Sequence, residues 1–487
     1  MDTMTKKFQT QYHKLFIGGE WVEPSSNAKV TVVSPHDQSV VGYTVLAAKE
    51  DVDKAVSIAR KTFDSGIWSE KTPQERQSVI RRFNEIHKQY AQEFATLVTK
   101  ENASSITFTT PLQQSLEEQT NAYLRAAEKF DWEVKKQGAM NSQLLIRREP
   151  IGVVAAIIPW NAPQQSALVK IIPALLAGCT VVFKPTPETA LDGIALGELF
   201  KEAGLPNGTL SILPADREIS EYLVGKPEVD KIAFTGSTRA GQSIASISGA
   251  QMKRYSLELG GKSAGIVLED ADLNTVIQTM IFKAFGNNGQ ACIGLTRLLI
   301  PKKRHEEITT ALAAAINNIK VGDPSNPQNF LGPVFNETQY ERVNNYIDLG
   351  LKEGAKIIAG GKGKPAGTEY EKGWYIKPTL FVDANNKMRI AREEIFGPVL
   401  VAIPYETVEE AIQIANDSEY GLSGGVFTNN SEKGMEIARK VRTGACYING
   451  LMPDYSAPFG GYKKSGVGRE FAEYGLASFC EYKTVGY

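Results

Sequence analysis

A chain of 487 residues outgrows a single hydrophobic core, so two or three domains are expected. An apolar share of 42% and a charged share of 22% describe an ordinary globular protein, and a formal net charge of -1 leaves no overall basic field for nucleic acid or an anionic membrane. The longest apolar stretches, Ile151 to Pro159 and Ser166 to Phe183 (interrupted by Lys170 and Pro173), cannot span a bilayer.

Met1 to Phe16 carries no apolar leader core, which predicts no secretory signal. Leu15 to Val22 reads as a hairpin around Gly18-Gly19. Lys49 to Phe63 has helical apolar spacing, and Thr72-Pro73-Gln74-Glu75 opens a second helix with Thr72 as N-cap and Glu75 as its box partner. Helical periodicity is expected to continue, with breaks, to about Lys135. Gln143 to Arg148 then reads as a strand. From Gly152 the pattern alternates: strand Val153–Ile158, helix Gln164–Leu176, strand Thr180–Phe183, helix Ala190–Ala203, strand Leu210–Leu213, helix Ile219–Val224, strand Lys231–Phe234, helix Ala240–Ser246. Such alternation predicts a parallel sheet wrapped by helices, with ligands beyond the carboxyl ends of its strands. A second α/β series follows Glu258: strand Ala264–Leu268, helix Leu273–Phe285, strand Arg297–Ile300, helix Glu306–Ile319, helix Glu337–Glu353, strands near Ala355 and Tyr375, and helix Val408–Ala415.

Chemistry-bearing residues sit in the loops. Phe285-Gly286-Asn287-Asn288-Gly289-Gln290-Ala291-Cys292 presents a cysteine from small and amide residues, which let a backbone pass close to a ligand. Upstream, Glu258 precedes Gly260-Gly261 and offers a carboxylate base. Asn161, in Ile158-Pro159-Trp160-Asn161, offers a neutral amide donor at a strand end, as an oxyanion hole requires. Lys184 ends another strand. Phe234-Thr235-Gly236-Ser237 leads into a helix whose free N–H groups suit a pyrophosphate. Glu394 and Phe396 precede the Gly397-Pro398 turn, where an acid suits ribose hydroxyls and a ring packs on a nicotinamide. Cys179, Cys292, Cys446 and Cys480 are sparse and form no C-x-x-C pair, so a reducing cytoplasm without disulfides is expected. His13, His36, His87 and His305 give no zinc spacing, and no metal is expected.

Taken together, Ile-Pro-Trp-Asn (158–161), Phe-Thr-Gly-Ser-Thr (234–238), Glu-Leu-Gly-Gly-Lys-Ser (258–263), Gly-Gln-Ala-Cys (289–292), Glu-Ile-Phe-Gly-Pro (394–398) and Pro-Phe-Gly-Gly (458–461) make the chain resemble the NAD(P)-dependent aldehyde dehydrogenase superfamily from about Phe16 onward. The resemblance implies an α/β fold of two Rossmann-like, doubly wound parallel-sheet domains plus a small β oligomerisation flap. The cofactor domain would comprise 1–129 and 149–258, the catalytic domain 259–445, and the flap 130–148 and 466–487, with 446–465 returning between them. It also implies Cys292 as nucleophile, Glu258 as general base, and Asn161 as oxyanion donor beside the Cys292 N–H. Ile158, Trp160, Lys184, Pro187, Gly236, Ser237 and Leu259 would line the adenosine and pyrophosphate side, and Glu394 and Phe396 the nicotinamide ribose. Ala162, Gln165, Ser166, Val169, Ile293 and Phe459 would line the substrate tunnel. A homodimer or homotetramer is the implied assembly.

These residue types suit aldehyde oxidation through a thiohemiacetal and a thioester, and a thiol is expected to supply useful thiolate at neutral pH. An acid at 258 favours hydrolysis to the free carboxylic acid, without a metal. Where many NAD-preferring relatives have an acid, this chain has Pro187, followed by Glu188; NAD is preferred and NADP stays open. Small tunnel residues and no arginine among them predict aromatic or medium-chain apolar aldehydes. Two rival readings share the same residues. One is a coenzyme A-acylating semialdehyde dehydrogenase or thioesterase, the other a non-catalytic binding or structural protein on this fold.

Overall fold

The structure, a computed structural model, describes residues 8–487; residues 1–7, which head both the stretch read as lacking a secretory signal and the expected 1–129 segment, lie outside it. Two large sheets organise the chain. The first has eight strands in the order Gly466–Val467, Arg254–Glu258, Lys231–Thr235, Val153–Ile157, Thr180–Lys184, Leu210–Ile212, Leu15–Ile17 and Glu20–Val22. Five of its six inner strands, Arg254–Glu258 to Leu210–Ile212, run parallel, and their registers align Thr235 with Glu258, Phe234 with Ile157, and Ile157 with Lys184. Four chemistry-bearing loops therefore leave the sheet side by side.

Val153–Ile157 shows why the sheet is buried on both faces. Val154 and Ala156 join a core that includes helices Pro73–Gln89, Pro163–Ala177 and Ala190–Glu202, whereas Val153, Ala155 and Ile157 join one with Lys49–Asp64 and Thr238–Ala250. The period of two sends alternate side chains to opposite faces, so an all-apolar run is needed. Thr72 caps the helix it opens: the Glu75 N–H donates to Thr72 Oγ1 at 3.2 Å, and the Thr72 N–H to Glu75 Oε2 at 2.8 Å.

The second sheet has seven strands in the order Lys356–Ala359, Thr379–Val382, Val399–Tyr405, Leu295–Pro301, Ser263–Val267, Ser423–Phe427 and Ala445–Ile448, with only the first antiparallel. The strand expected near Tyr375 begins at Thr379. A third sheet joins Glu133–Gln137, Gln143–Pro150 and Cys480–Gly486, all antiparallel.

Two expectations change here. The helical stretch ends at Lys129, not Lys135, because Glu133–Gln137 pairs across its length with 143–147. The tail does not join the third sheet from Gly466. Gly466–Val467 borders Arg254–Glu258, and Phe471 and Leu476 are buried in the first core, so only Cys480 onward is free to pair there. Among the described residues no helix is long and apolar enough to cross a membrane.

Candidate active site

The cysteine loop comes off helix Leu273–Phe285 and turns through three successive left-handed residues, Asn287 (φ 54°), Asn288 (φ 58°) and Gly289 (φ 70°). Asparagine tolerates this region better than most side chains, because its short amide can bond locally. Both amides are spent on holding the turn. Asn287 Nδ2 donates to the Asn161 carbonyl at 2.9 Å, and Asn288 Nδ2 donates to the carbonyls of Ala103 (2.9 Å) and Pro333 (2.8 Å). Gly289 has no alternative, because a Cβ there would lie 2.3 Å from the Gly397 carbonyl. Gln290 accepts the Phe335 N–H at 2.9 Å.

Asn161 reaches the same place from the first sheet. Its Nδ2 donates to the Gln290 carbonyl at 2.9 Å, two residues before Cys292. Glu258 arrives from the end of its strand, and the glycines after it make the approach possible. A Cβ at Gly260 would lie 2.3 Å from the Glu394 carboxylate, and one at Gly261 would lie 2.7 Å from the Cys292 carbonyl. Residues 161, 258 and 292 thus converge.

The Glu258 side chain is 3% exposed, and neither carboxylate oxygen has a hydrogen-bond partner. Burial, followed by the charge of Glu470, holds its carboxyl well above the ordinary range, while Lys170 and Arg469 oppose the rise. Lys170, 1% exposed, donates to Glu470 Oε1 and Thr235 Oγ1, each at 2.6 Å. Burial pushes the Cys292 thiol up to about 12, with the charges of Glu394 and Glu258 adding to it. The expected thiolate character is therefore opposed in the protein alone, first by burial and then by the neighbouring carboxylates.

Of the expected cofactor residues, Ile158, Lys184, Pro187, Gly236, Ser237 and Leu259 lie at or just beyond the carboxyl ends of first-sheet strands, whereas Glu394 and Phe396 precede strand Val399–Tyr405. Lys184, where burial lowers the amine to about 8, follows Val181–Phe183, and the Ile158 carbonyl accepts the Thr186 hydroxyl at 3.0 Å. Pro187 opens a short 3-10 turn. Gly236 donates to the Glu258 carbonyl at 3.0 Å, and a Cβ there would strike the Phe234 ring at 2.4 Å. Ser237 caps helix Thr238–Ala250 through the Ala240 N–H at 3.3 Å, and Leu259 packs against Gly241. Glu394 accepts the Gly261 N–H at 3.0 Å, and burial raises its carboxyl. Phe396 is strained at φ 63°. Trp160 stacks on Phe335 (4.3 Å between centroids, 10°) and meets Phe396 edge-on (5.5 Å, 81°).

Of the tunnel residues, Ala162 is the N-cap of helix Pro163–Ala177, Val169 is buried, and Gln165, Ser166, Ile293 and Phe459 are half-buried. Gln165 Nε2 donates to the Tyr455 hydroxyl at 3.3 Å, and that hydroxyl lies 2.8 Å from Ser115 Oγ. Tyr455, Ser115, Lys170, Glu470, Phe335 and the asparagine contacts escaped sequence reasoning. Lys170 carried a signal in retrospect, as a charge inside an apolar run.

A family model described as the aldehyde dehydrogenase family matches residues 21–485. Geranial dehydrogenase of Castellaniella defragrans is 41% identical over 475 residues, covering 97% of this chain and 98% of that protein. A 3-succinoylsemialdehyde-pyridine dehydrogenase of a Pseudomonas species is 39% identical, with 97% and 98% covered. Among solved structures, an aldehyde dehydrogenase of Mycobacterium tuberculosis complexed with NAD+ superposes with a TM-score of 0.95 at 43% identity, covering 98% of each chain. A mutant aldehyde dehydrogenase C of Pseudomonas syringae, with NAD+ and octanal, gives 0.93 at 37% identity, covering 97% of this chain and 96% of that one.

Proposed function

The chain belongs to the aldehyde dehydrogenase family, and from that premise we propose that it oxidises an apolar aldehyde to the free acid, with NAD, through a thioester on Cys292. The observation that carries the reading is the Glu258 carboxylate, buried without a partner in the electrostatic reach of the thiol.

The steps follow from the residues. Glu258 takes the Cys292 proton, and the sulfur forms a bond to the carbonyl carbon while the carbonyl π pair moves onto oxygen. Asn161 Nδ2 and the Cys292 N–H hold that oxyanion; losing one such donor costs about 10²–10³ in rate. A bound oxidised nicotinamide supplies the acceptor for the hydride and its electron pair. Glu258 then releases the thiol's proton towards solvent. Water attacks the thioester left on Cys292 and passes a proton to Glu258, and as the C–S bond breaks the departing thiolate takes that proton, which regenerates the thiol and frees the acid. Burial that raises the Glu258 carboxyl makes it a stronger base for both transfers than an exposed glutamate would be. Lys170 and Glu470 adjoin it as the next proton-carrying groups.

The residues present fit a dinucleotide. Ser237 leaves the N-terminal turn of helix Thr238–Ala250 facing the strand ends, and Gly236 keeps the approach open. Lys184 would bind the adenosine ribose, and Glu394 with Phe396 the nicotinamide ribose. The NAD-bound neighbours support this choice, and the absent acid at 187 leaves room for some NADP use. The relative named for geranial and the neighbour holding octanal support an apolar substrate.

The eight-stranded sheet unit would then bind the cofactor and the seven-stranded unit carry the cysteine. The exposed third sheet, with Tyr482 and Tyr487 in or beside its edge strand, would pair copies into a dimer or tetramer. Free thiols at Cys179, Cys446 and Cys480 suit a reducing cytoplasm.

An aldehyde panel with NAD and NADP, read by absorbance of the reduced cofactor, tests the reading. Turnover should favour octanal and benzaldehyde and release acid whether or not coenzyme A is added. Equal kcat/KM for succinic semialdehyde and benzaldehyde would remove the apolar assignment, and a strict need for coenzyme A would replace hydrolysis by acyl transfer.

A further inference from the structure

Between helix Ala91–Asn102 and helix Ile106–Lys129 the chain crosses the interior: Glu101, Asn102, Ala103, Ser104 and Ser105 are each 1% exposed or less. A buried connection of this kind is uncommon, because every polar group in it needs a partner. Here the partners are the loops of the active site. Glu101 accepts the N–H groups of Leu191 (2.8 Å) and Asp192 (3.2 Å), at the head of the helix that follows the Lys184 loop. Asn102 Nδ2 donates to the Trp160 carbonyl at 2.9 Å and lies 3.4 Å from the Asn161 carbonyl, while its Oδ1 accepts the Ser104 N–H at 2.9 Å. The Ala103 carbonyl accepts from Asn288, and Ser104 Oγ donates to Asn287 Oδ1. Ala103 adopts φ 59°, which aims these groups in different directions.

We propose that Asn102 and Ser104 are positioning residues that set where the Asn161 amide stands relative to Cys292. The proposal rests on the reading of Asn161 as oxyanion donor. Asn102 fixes the backbone of residues 160 and 161. Ser104 fixes the Asn287 side chain, whose Nδ2 donates to the Asn161 carbonyl at 2.9 Å and to the Gln290 carbonyl at 3.3 Å. This buried stretch, the last turn of helix Ala91–Asn102 and the three residues after it, thereby ties the first sheet's Asn161 loop to the second sheet's cysteine loop. Neither side chain reaches the reacting atoms. Both act through Asn161.

A double-mutant cycle on the full-length enzyme with saturating NAD tests this, with intact active sites counted by titration of the Cys292 thiol. Asn102→Ala should lower kcat about 10–100-fold, the scale of a displaced catalytic group, with aldehyde KM and NAD Kd within about 2-fold of native, since the lost contact stabilises only the transition state. In an Asn161→Ala background the same change should cost almost nothing, because residues acting as a unit are non-additive. An equal loss in both backgrounds overturns the proposal, as does a weakened NAD Kd that accounts for the loss. Ser104→Ala, which keeps Asn102, repeats the cycle if Asn102→Ala does not fold, with the same outcomes. A native-like Asn161→Ala would instead refute the oxyanion reading itself and leave the cycle without its anchor.

Discussion

Replacing Glu258 by Gln should do two opposite things, inactivating the enzyme and stabilising its fold. Gln has the shape of the protonated acid but never carries the charge. In the native fold both carboxylate oxygens are buried without partners, and burial raises the carboxyl far above its ordinary value of 4.5. A carboxyl whose pKa the fold raises above its unfolded value costs stability as pH rises above that ordinary value. Leaving one buried polar group unsatisfied costs about 1–3 kcal/mol, and a charged one more. At pH 8 the Gln variant should therefore melt higher, by about 1 °C for each kcal/mol recovered in a chain of 487 residues, and the gain should vanish towards pH 4. Turnover should meanwhile fall about 10²–10⁴-fold, the usual worth of a positioned base. Scanning fluorimetry from pH 4 to 9 measures the first effect, and reduced-cofactor absorbance the second. A variant that melts lower at pH 8, or one that turns over at the native rate, refutes the placement of a strained base here.

Other consequences are simpler to test. Glu470→Gln removes a charge that raises the Glu258 carboxyl, so the acid limb of the kcat–pH profile should move to lower pH; a limb that moves up or stays fixed contradicts the electrostatic assignment. Pro187→Glu restores an acid beside the expected ribose site and should lower kcat/KM for NADP about 10-fold or more relative to NAD, since like charges held together cost at least about 1.4 kcal/mol. Gly289→Ala forces both a positive φ of 70° and a 2.3 Å contact with the Gly397 carbonyl. It should remove most Cys292 activity and destabilise by about 2 kcal/mol or more, measured by urea unfolding.

Sequence made the inner strands legible because burial on both faces demands an unbroken apolar run, as in Val153–Ile157. Glu133–Gln137 was not legible: Glu, Lys and Gln favour helices, and only pairing with residues 143–147 makes the segment a strand. The cysteine loop could be read from its glycine and asparagine content. The state of its thiol could not, because that depends first on burial and then on Glu394, Glu258 and Glu470, which only the fold assembles. Lys170 and Glu470 lie 300 positions apart, and Asn102 lies 58 from Trp160, so no local pattern announces either pair.

The strand Gly466–Val467 closes the edge of the first sheet against Leu257 and Glu258, and Gly460 and Glu470 lie close by. On the ribosome, then, the base of this pocket waits for nearly the whole polypeptide to be made before its lid of backbone arrives. A chain ended before Gly460 would lack the strand that borders Glu258, and with it the wall that keeps this carboxyl from water.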